Sequence, residues 1–188
     1  MFILLRLSYF EGRDIKLVRV QLGEWSKNDG GMKVPPILIL KDENFNEQTI
    51  KMSVKYFDIT HKVLSLLENY FKLEKISWDK LVDVADFGRV PHFSKRVYRW
   101  LVENTDYGDT VTYGGVAKAL ETHPRAVAVA MKRNPYPLLI PCHRVVGKNS
   151  LGGYSAGGSG INGARLKKLL LRFEREGAVS EVILFKTR

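Results

Sequence analysis

Asn134-Pro135-Tyr136-Pro137-Leu138-Leu139-Ile140-Pro141-Cys142-His143-Arg144-Val145-Val146 contains the one cysteine of a 188-residue chain. The prolines at 135 and 137 each remove a backbone donor and restrict the residue before them, so a helix arriving here must stop and the chain must turn sharply ahead of the cysteine. Leu138-Leu139-Ile140 leads into that cysteine and a histidine follows it directly. A thiol attacks as thiolate, and a neighbouring imidazole that takes its proton is a common means of activation. Free cysteine is also commonly a small buried hydrophobe, so adjacency alone leaves a reactive and a structural reading side by side.

Toward the N-terminus the flanking pattern is helical. Thr112 is placed to cap a helix with Val116, Ala117 and Leu120 inward, and His123-Pro124 opens another that runs from Arg125 to Lys132. Two short helices joined by a tight turn, the second rich in alanine and flanked by arginines, resemble a helix-turn-helix, although such pairs are also ordinary packing units. Ahead of them, Ser94 is expected to cap a helix through Glu103 whose apolar stripe is Val97, Trp100 and Leu101, closed by the turn Tyr107-Gly108-Asp109.

On the other side of the cysteine, Gly147 to Gly163 is rich in glycine, which suits a loop whose backbone approaches a ligand closely. A phosphate-cradling loop is excluded, because the lysine and hydroxyl that should follow its last glycine are missing. Leu166, Leu169, Leu170 and Phe173 then fall at i, i+3, i+4 and i+7, and Gly177 supplies the stop. Glu174 borders that stripe, where a solvated surface acid is the ordinary reading.

The N-terminal part has another texture. Runs such as Ile15-Lys16-Leu17-Val18-Arg19-Val20 and Ile37-Leu38-Ile39-Leu40, separated by Gly30-Gly31 and Pro35-Pro36, read as strands and turns. Thr60 would cap a helix with Val63, Leu64, Leu67 and Phe71 on one face, and Trp78 to Val84 reads as a short helix or linker. The expected division is residues 1–84 and 85–188, an α/β part followed by a mostly helical part.

Composition bounds the setting. A single cysteine excludes an internal disulfide, and nothing argues for an oxidising compartment. The apolar Met1-Phe2-Ile3-Leu4-Leu5 lacks a basic leader and reads as a strand, not a signal peptide, and no stretch has the length of a membrane span. A cytoplasmic protein is expected. The net charge of +10 favours a polyanionic partner, and Lys and Arg concentrate from Arg89 onward, through Lys95, Arg96, Arg125, Lys132 and Arg133 to the last helix. No zinc-type Cys/His spacing is present.

Taken together, these residues resemble the O6-alkylguanine-DNA alkyltransferase family. Pro141-Cys142-His143-Arg144-Val145-Val146 looks like its active-site signature. Phe93-Ser94-Lys95-Arg96-Val97-Tyr98, Tyr107-Gly108-Asp109-Thr110-Val111-Thr112-Tyr113-Gly114, Arg125-Ala126-Val127, Ala130-Met131 and Asn134-Pro135 are similar to its helical segments in the same order, and Gly153-Tyr154 with Leu169-Leu170 and Glu174 completes the likeness over roughly residues 85 to 177. By analogy of fold alone, residues 1–84 would be the family's ribonuclease-H-like domain.

The resemblance implies a set of roles. Cys142 would accept an alkyl group from guanine O6, His143 would take the thiol proton, and Glu174 would orient the imidazole. Tyr113 would hydrogen-bond guanine N3, Asn134 would tie the turn bearing the cysteine, and the carbonyls of Cys142 and Val145 would accept from the guanine amine. Tyr154 would wall the pocket, and Ser155 or Ser159 could reach O6. Arg125 would fill the hole left by a flipped base, with Ala126, Ala128 and Ala130 allowing close approach to the minor groove.

The implied partner is double-stranded DNA carrying O6-alkylguanine, met by a monomer without membrane, metal or organic cofactor. O4-alkylthymine is a further possible substrate. A stable thioether on the acceptor forbids turnover. In one respect the chain departs from the pattern: Ser155 to Gly163 is longer than the family's usual Ser-Gly-Gly connection. A non-enzymatic binder of alkylated DNA on the same scaffold is the alternative, and retention of Cys142, His143 and Glu174 argues against it. A papain-like hydrolase fits poorly, because its histidine is distant from its cysteine.

Overall fold

The computed structural model describes residues 2–11, 15–25, 59, 61–155 and 162–177. The expected turns at Gly30-Gly31 and Pro35-Pro36, the strand at residues 37–40, the cap at Thr60 and the position of Ser159 lie outside them. Strands β1 (Phe2–Glu11) and β2 (Ile15–Trp25) form an antiparallel hairpin with Phe2 opposite Trp25, and the register shifts between Ser8 and Tyr9.

Helix α1 covers residues 61–71. It buries Val63 and Leu67, with Leu64 and Phe71 packed at the margin as their spacing predicts, and it buries Leu66 and Tyr70 as well. Helix α2 (Trp78–Val84) starts at Ser77, whose hydroxyl accepts from the Lys80 amide, and a single 3-10 turn at Phe87–Arg89 follows. Both lie in the same apolar cluster as the helices after residue 90, so residues 59–84 share a core with the chain beyond the expected boundary.

Helix α3 (His92–Asn104) buries Val97, Tyr98, Leu101 and Val102. It begins ahead of the expected cap at Ser94. Pro91 occupies the N-cap at φ −54°, where its ring sets the backbone for helix entry, and Ser94 is buried inside the first turn. Strand β3 (Val111–Thr112) pairs in parallel with β4 (Val145–Val146), Val111 opposite Val145 and Thr112 opposite Val146. This short ladder sets the start of the next helix beside the chain that leaves Cys142.

Helices α4 (Tyr113–Ala119) and α5 (Pro124–Lys132) form the anticipated pair. The Thr112 hydroxyl accepts from the Gly115 amide at 2.9 Å, satisfying one of the amides a helix start leaves unpaired. At α5 the cap is His123, whose Nδ1 accepts from the Arg125 amide at 3.2 Å, with Pro124 at the first helical position where a missing N–H costs nothing. The pair rests on α3: Tyr98 donates its hydroxyl to the Ala130 carbonyl at 2.8 Å.

Helix α6 (Gly163–Glu176) closes the core with Leu166, Leu169, Leu170 and Phe173 inward. Asn162 caps its start, and Gly177 ends it at φ +70°, a left-handed conformation that costs a glycine little, with its amide on the Phe173 carbonyl. No described helix is long and apolar enough to cross a membrane.

Leu101 is fully buried at the centre of α3. Leu101→Ala removes its side chain from a close-packed site and should destabilise the protein by about 2–5 kcal/mol, read as a shift of the urea midpoint without change in slope.

Candidate active site

Beyond α5 the chain has to reverse before Cys142, and Asn134 holds that reversal. Its side-chain amide donates to the Ile140 carbonyl at 3.2 Å while its oxygen accepts from the Tyr136 amide at 2.9 Å. Leu138 is thereby kept at φ +72° although it is a bulky residue almost completely buried. Such a conformation costs about 1–2 kcal/mol and persists where packing and hydrogen bonds overdetermine it. Cys142 emerges on a single 3-10 turn, Cys142–Arg144, and is buried.

His143 points into the core from the same turn. Its Nε2 lies 2.6 Å from Glu174 Oε1, and both side chains are fully buried. The opposite nitrogen, Nδ1, has no hydrogen-bond partner among the described residues. Glu174 is the hub of this cluster. Arg144 donates to both carboxylate oxygens, Nε at 2.8 Å and Nη2 at 3.0 Å, and the Gly108 amide adds a contact at 3.3 Å. Arg144 also donates to the Thr105 carbonyl at 2.8 Å and lies over the Tyr107 ring, 4.5 Å from its centroid. Glu174 is therefore not a solvated acid: the i+4 step from Leu170 turns it toward the turn that carries the cysteine.

Around the thiol stand aromatic walls. Tyr154 lies edge-on to His143, with ring centroids 6.4 Å apart, and its hydroxyl is buried without a hydrogen-bond partner among the described residues. Tyr113 is half-buried at the first position of α4, placed there by the β3–β4 ladder. Gly152 takes φ +68°, and a Cβ there would come within 3.0 Å of the Tyr113 ring, so the loop can approach this closely only with glycine.

Burial pushes the Cys142 thiol above its ordinary value, and Asn134, Lys167 and Tyr154 act against that rise. Burial also drives His143 below its usual value, opposed by the Glu174 carboxylate. For Glu174 burial works upward, but the hydrogen bonds and charges of His143 and Arg144 prevail and bring it down to about 2. At neutral pH the cluster thus holds a thiol, a neutral imidazole and a carboxylate neutralised by Arg144. Tyr113 is raised, first by burial and then by the nearby cysteine.

Other expected residues fall as follows. Arg125 is exposed at the start of α5, with Ala126 partly exposed and Ala128 exposed beside it. Ala130 is a correction: it is 1% exposed, turned inward onto α3, and cannot touch a ligand on the outer face. The helical period sends residue 130 to the same side as Val127 and away from Arg125. The Val145 carbonyl already accepts from Lys167 Nζ at 2.6 Å. Ser155 donates its hydroxyl to the Lys132 carbonyl at the end of α5.

Three participants escape the sequence reading. Arg144 lies inside the quoted motif, yet its bidentate grip on Glu174 spans thirty positions. Tyr70 comes from α1, its hydroxyl 3.4 Å from His143 Nε2 and its ring edge-on to the imidazole. Lys167 is a lysine on an amphipathic helix, a type that sequence pattern assigns to solvent, and it is fully buried. Among the described residues no group of three or more His, Cys, Asp or Glu could hold a metal ion.

The geometry thus sets a pair of short helices with an exposed arginine beside a buried cysteine and a buried His-Glu pair. Residues 92–176 match the family described as 6-O-methylguanine DNA methyltransferase, DNA binding domain. The methylated-DNA–protein-cysteine methyltransferase of Methanocaldococcus jannaschii is 42% identical over 140 residues, covering 74% of this chain and 70% of the relative. That of Thermococcus gammatolerans is 44% identical over 120 residues, covering 63% of this chain and 60% of its own length. A solved O6-methylguanine DNA methyltransferase from Methanococcus jannaschii superposes with a TM-score of 0.55 at 32% identity, covering 99% of each chain. The chain belongs to the methylated-DNA–protein-cysteine methyltransferase family.

The depressed pKa values carry a stability signature. An unfolded chain takes up a proton on His143 below about pH 6.5 that the buried imidazole refuses, so stability falls with pH from there. A second loss begins below about 4.5, the ordinary value of Glu174, and continues toward about 2. Urea midpoints measured from about pH 8 to about pH 3 should decline in these two stages, and His143→Gln should flatten the upper one.

Proposed function

We propose that this protein removes the alkyl group from O6-alkylguanine in DNA by transferring it, once, to its own Cys142. The observation that carries this reading is the buried line of Cys142, His143 and Glu174 behind a helix pair that belongs to a DNA-binding family. The fully buried Glu174 fixes His143 through Nε2 at 2.6 Å and leaves Nδ1 as the nitrogen able to accept the thiol proton.

In the proposed reaction, the Cys142 sulfur attacks the alkyl carbon in line with the bond to O6. The C–S bond forms as the C–O6 bond breaks, and the bonding pair leaves with the guanine. His143 Nδ1 takes the thiol proton, directly or through water, and Glu174 stabilises the imidazolium that results. Tyr113 hydrogen-bonds guanine N3 and offsets the charge that develops on the departing base. The raised thiol pKa fits this sequence, because a sulfur that is protonated at rest needs the imidazole at the moment of attack. The thioether product has no route back without an activated electrophile, so each molecule acts once.

The carbon to be attacked is stacked inside the duplex, so the nucleotide must be extruded. Arg125, exposed at the head of α5, is proposed to occupy the vacated space, with Ala126 and Ala128 as the small residues that let the helix near the minor groove. Tyr154 walls the pocket. Ser155, its hydroxyl held by α5, is placed to reach O6 through its backbone, and the Cys142 and Val145 carbonyls accept from the guanine amine. O4-alkylthymine fits the same chemistry as a second substrate. Residues 1–84 are proposed as a ribonuclease-H-like part whose last helices brace residues 85–188, and the protein is proposed to work as a cytoplasmic monomer.

A duplex with a labelled O6-methylguanine tests the chemistry. One equivalent of label should move to the Cys142 peptide and none in Cys142→Ala; repeated turnover, or label elsewhere, refutes the mechanism. Arg125→Ala tests extrusion. A stacked guanidinium is worth about 1–3 kcal/mol, so duplex repair should slow by roughly tenfold or more while reaction with a free O6-alkylguanine base is spared. Equal losses on both substrates reject the finger role.

A further inference from the structure

Tyr70 lies on α1, ahead of residue 85, and the proposed mechanism gives it no part. Its side chain is almost wholly buried, at 1% exposure. The ring is set among Phe71, Tyr107 and Phe173, with centroids 5.3, 5.8 and 6.0 Å away, and it stands edge-on to the His143 imidazole at 6.0 Å. Its hydroxyl oxygen comes within 3.4 Å of His143 Nε2. Burying a phenol costs free energy unless the hydroxyl is bonded, and a phenylalanine would fill the same space without that cost.

The direction of this contact follows from its neighbours. Glu174, brought down to about 2, is a carboxylate at neutral pH, so the proton in its 2.6 Å contact with His143 sits on Nε2. The Tyr70 oxygen therefore turns a lone pair to Nε2–H, and its own proton is left for the Glu174 carboxylate. Burial first, and the Glu174 charge second, hold the phenol protonated. The imidazole is also faced by Arg144 from its own turn, which Cys142 opens, by Lys167 from α6 and by the neutral Tyr154 from the loop. Tyr107, from the turn after α3, faces Tyr70 and Arg144. The Arg144 and Lys167 cations oppose a positive charge on the ring, and Glu174 and the Tyr70 oxygen favour one.

We infer that Tyr70 is a positioning residue of the transfer site: from α1 its hydroxyl seats the Nε2 edge of His143 together with Glu174 and supports the positive charge that His143 takes up with the thiol proton. The inference rests on the reading of Cys142 as the alkyl acceptor and His143 as its base. It also means that residues 85–188 hold an incomplete site, since this contact comes from ahead of that boundary.

Tyr70→Phe in the full chain keeps the ring and removes the hydroxyl. The single transfer from O6-methylguanine should slow roughly three- to tenfold, on duplex DNA and on the free base alike, because the change acts on His143 and not on DNA contact. Followed by its ring nitrogen resonances, His143 should protonate about half a unit to one unit lower in pH than in wild type. An unchanged rate, a loss confined to the duplex, or a slower rate without the shift in His143 titration overturns the inference, the last because it marks packing alone. Should Tyr70→Phe not fold, the wild-type protein decides. His143 must carry its proton on Nε2, and that proton must show a cross-peak to the Tyr70 ring; a proton on Nδ1, or no cross-peak, overturns the inference. Failure of the acceptor reading shows differently. If wild type transfers no label while Tyr70→Phe still lowers the His143 titration, Cys142 is not the acceptor and the seat at Tyr70 stands; if wild type transfers and the titration does not move, the reverse holds.

Discussion

The carboxylate of Glu174 is the contact on which the site depends. A buried carboxylate is tolerable only when its lone pairs are filled and its charge is met. Here four donors from two separate places do so: His143 Nε2 with Nε and Nη2 of Arg144 from the cysteine turn, and the Gly108 amide from the turn after α3. In satisfying Glu174 these groups are drawn to one point at the end of α6. The turn that presents Cys142 is thus held by an ionic hydrogen-bond network from below and by Asn134 from the side. Removing one partner would leave a buried charge unmet, at a cost of about 3–5 kcal/mol.

Around this anchor the protein arranges opposing influences on one sulfur. Burial protects the thiol from solvent and raises its pKa, which keeps it inert at rest. Asn134, the Lys167 ammonium and Tyr154 lower the cost of ionisation in place. The proposed single transfer gains from this balance, since a freely ionised thiolate would be lost to oxidation or stray electrophiles. The aromatic walls, Tyr113 and Tyr154, come from elements distant in sequence; the β3–β4 ladder sets the first, and Gly152 lets the loop that carries the second approach its ring.

The outer face obeys different physics. Helix α5 keeps its larger apolar residues, Val127 and Met131, inward, and Ala130 supplies the carbonyl that Tyr98 grips from α3. What faces outward at its start is Arg125 with small neighbours, a surface able to come near a polyanion. Since α5 leads straight into the Asn134 reversal, a contact at Arg125 is mechanically close to Cys142 although seventeen positions separate them in the chain.

Local signals were readable because they act over a few residues. Caps at Thr112 and His123, the stripe of α6, the stop at Gly177 and the proline-enforced reversal depend on neighbours within about a helical turn. The motif around Cys142 with its spacing to Arg125 and Asn134 was legible for the same reason. Ser94 misled because a proline three residues earlier set the helix start, and Ala130 because small size was read without its helical phase. Tyr70 and Lys167 have no local mark at all, each an ordinary residue on an amphipathic helix, and Arg144, though inside the motif, gives no local sign of a partner thirty positions away. By itself the sequence determined the helix pair and the cysteine turn, and it marked Cys142 as the candidate nucleophile. Only the tertiary structure decided that Glu174 is buried, that Arg144 neutralises it and that a lysine stands beside the thiol, because burial and pairing of charge arise when segments far apart in the chain share one low-dielectric core.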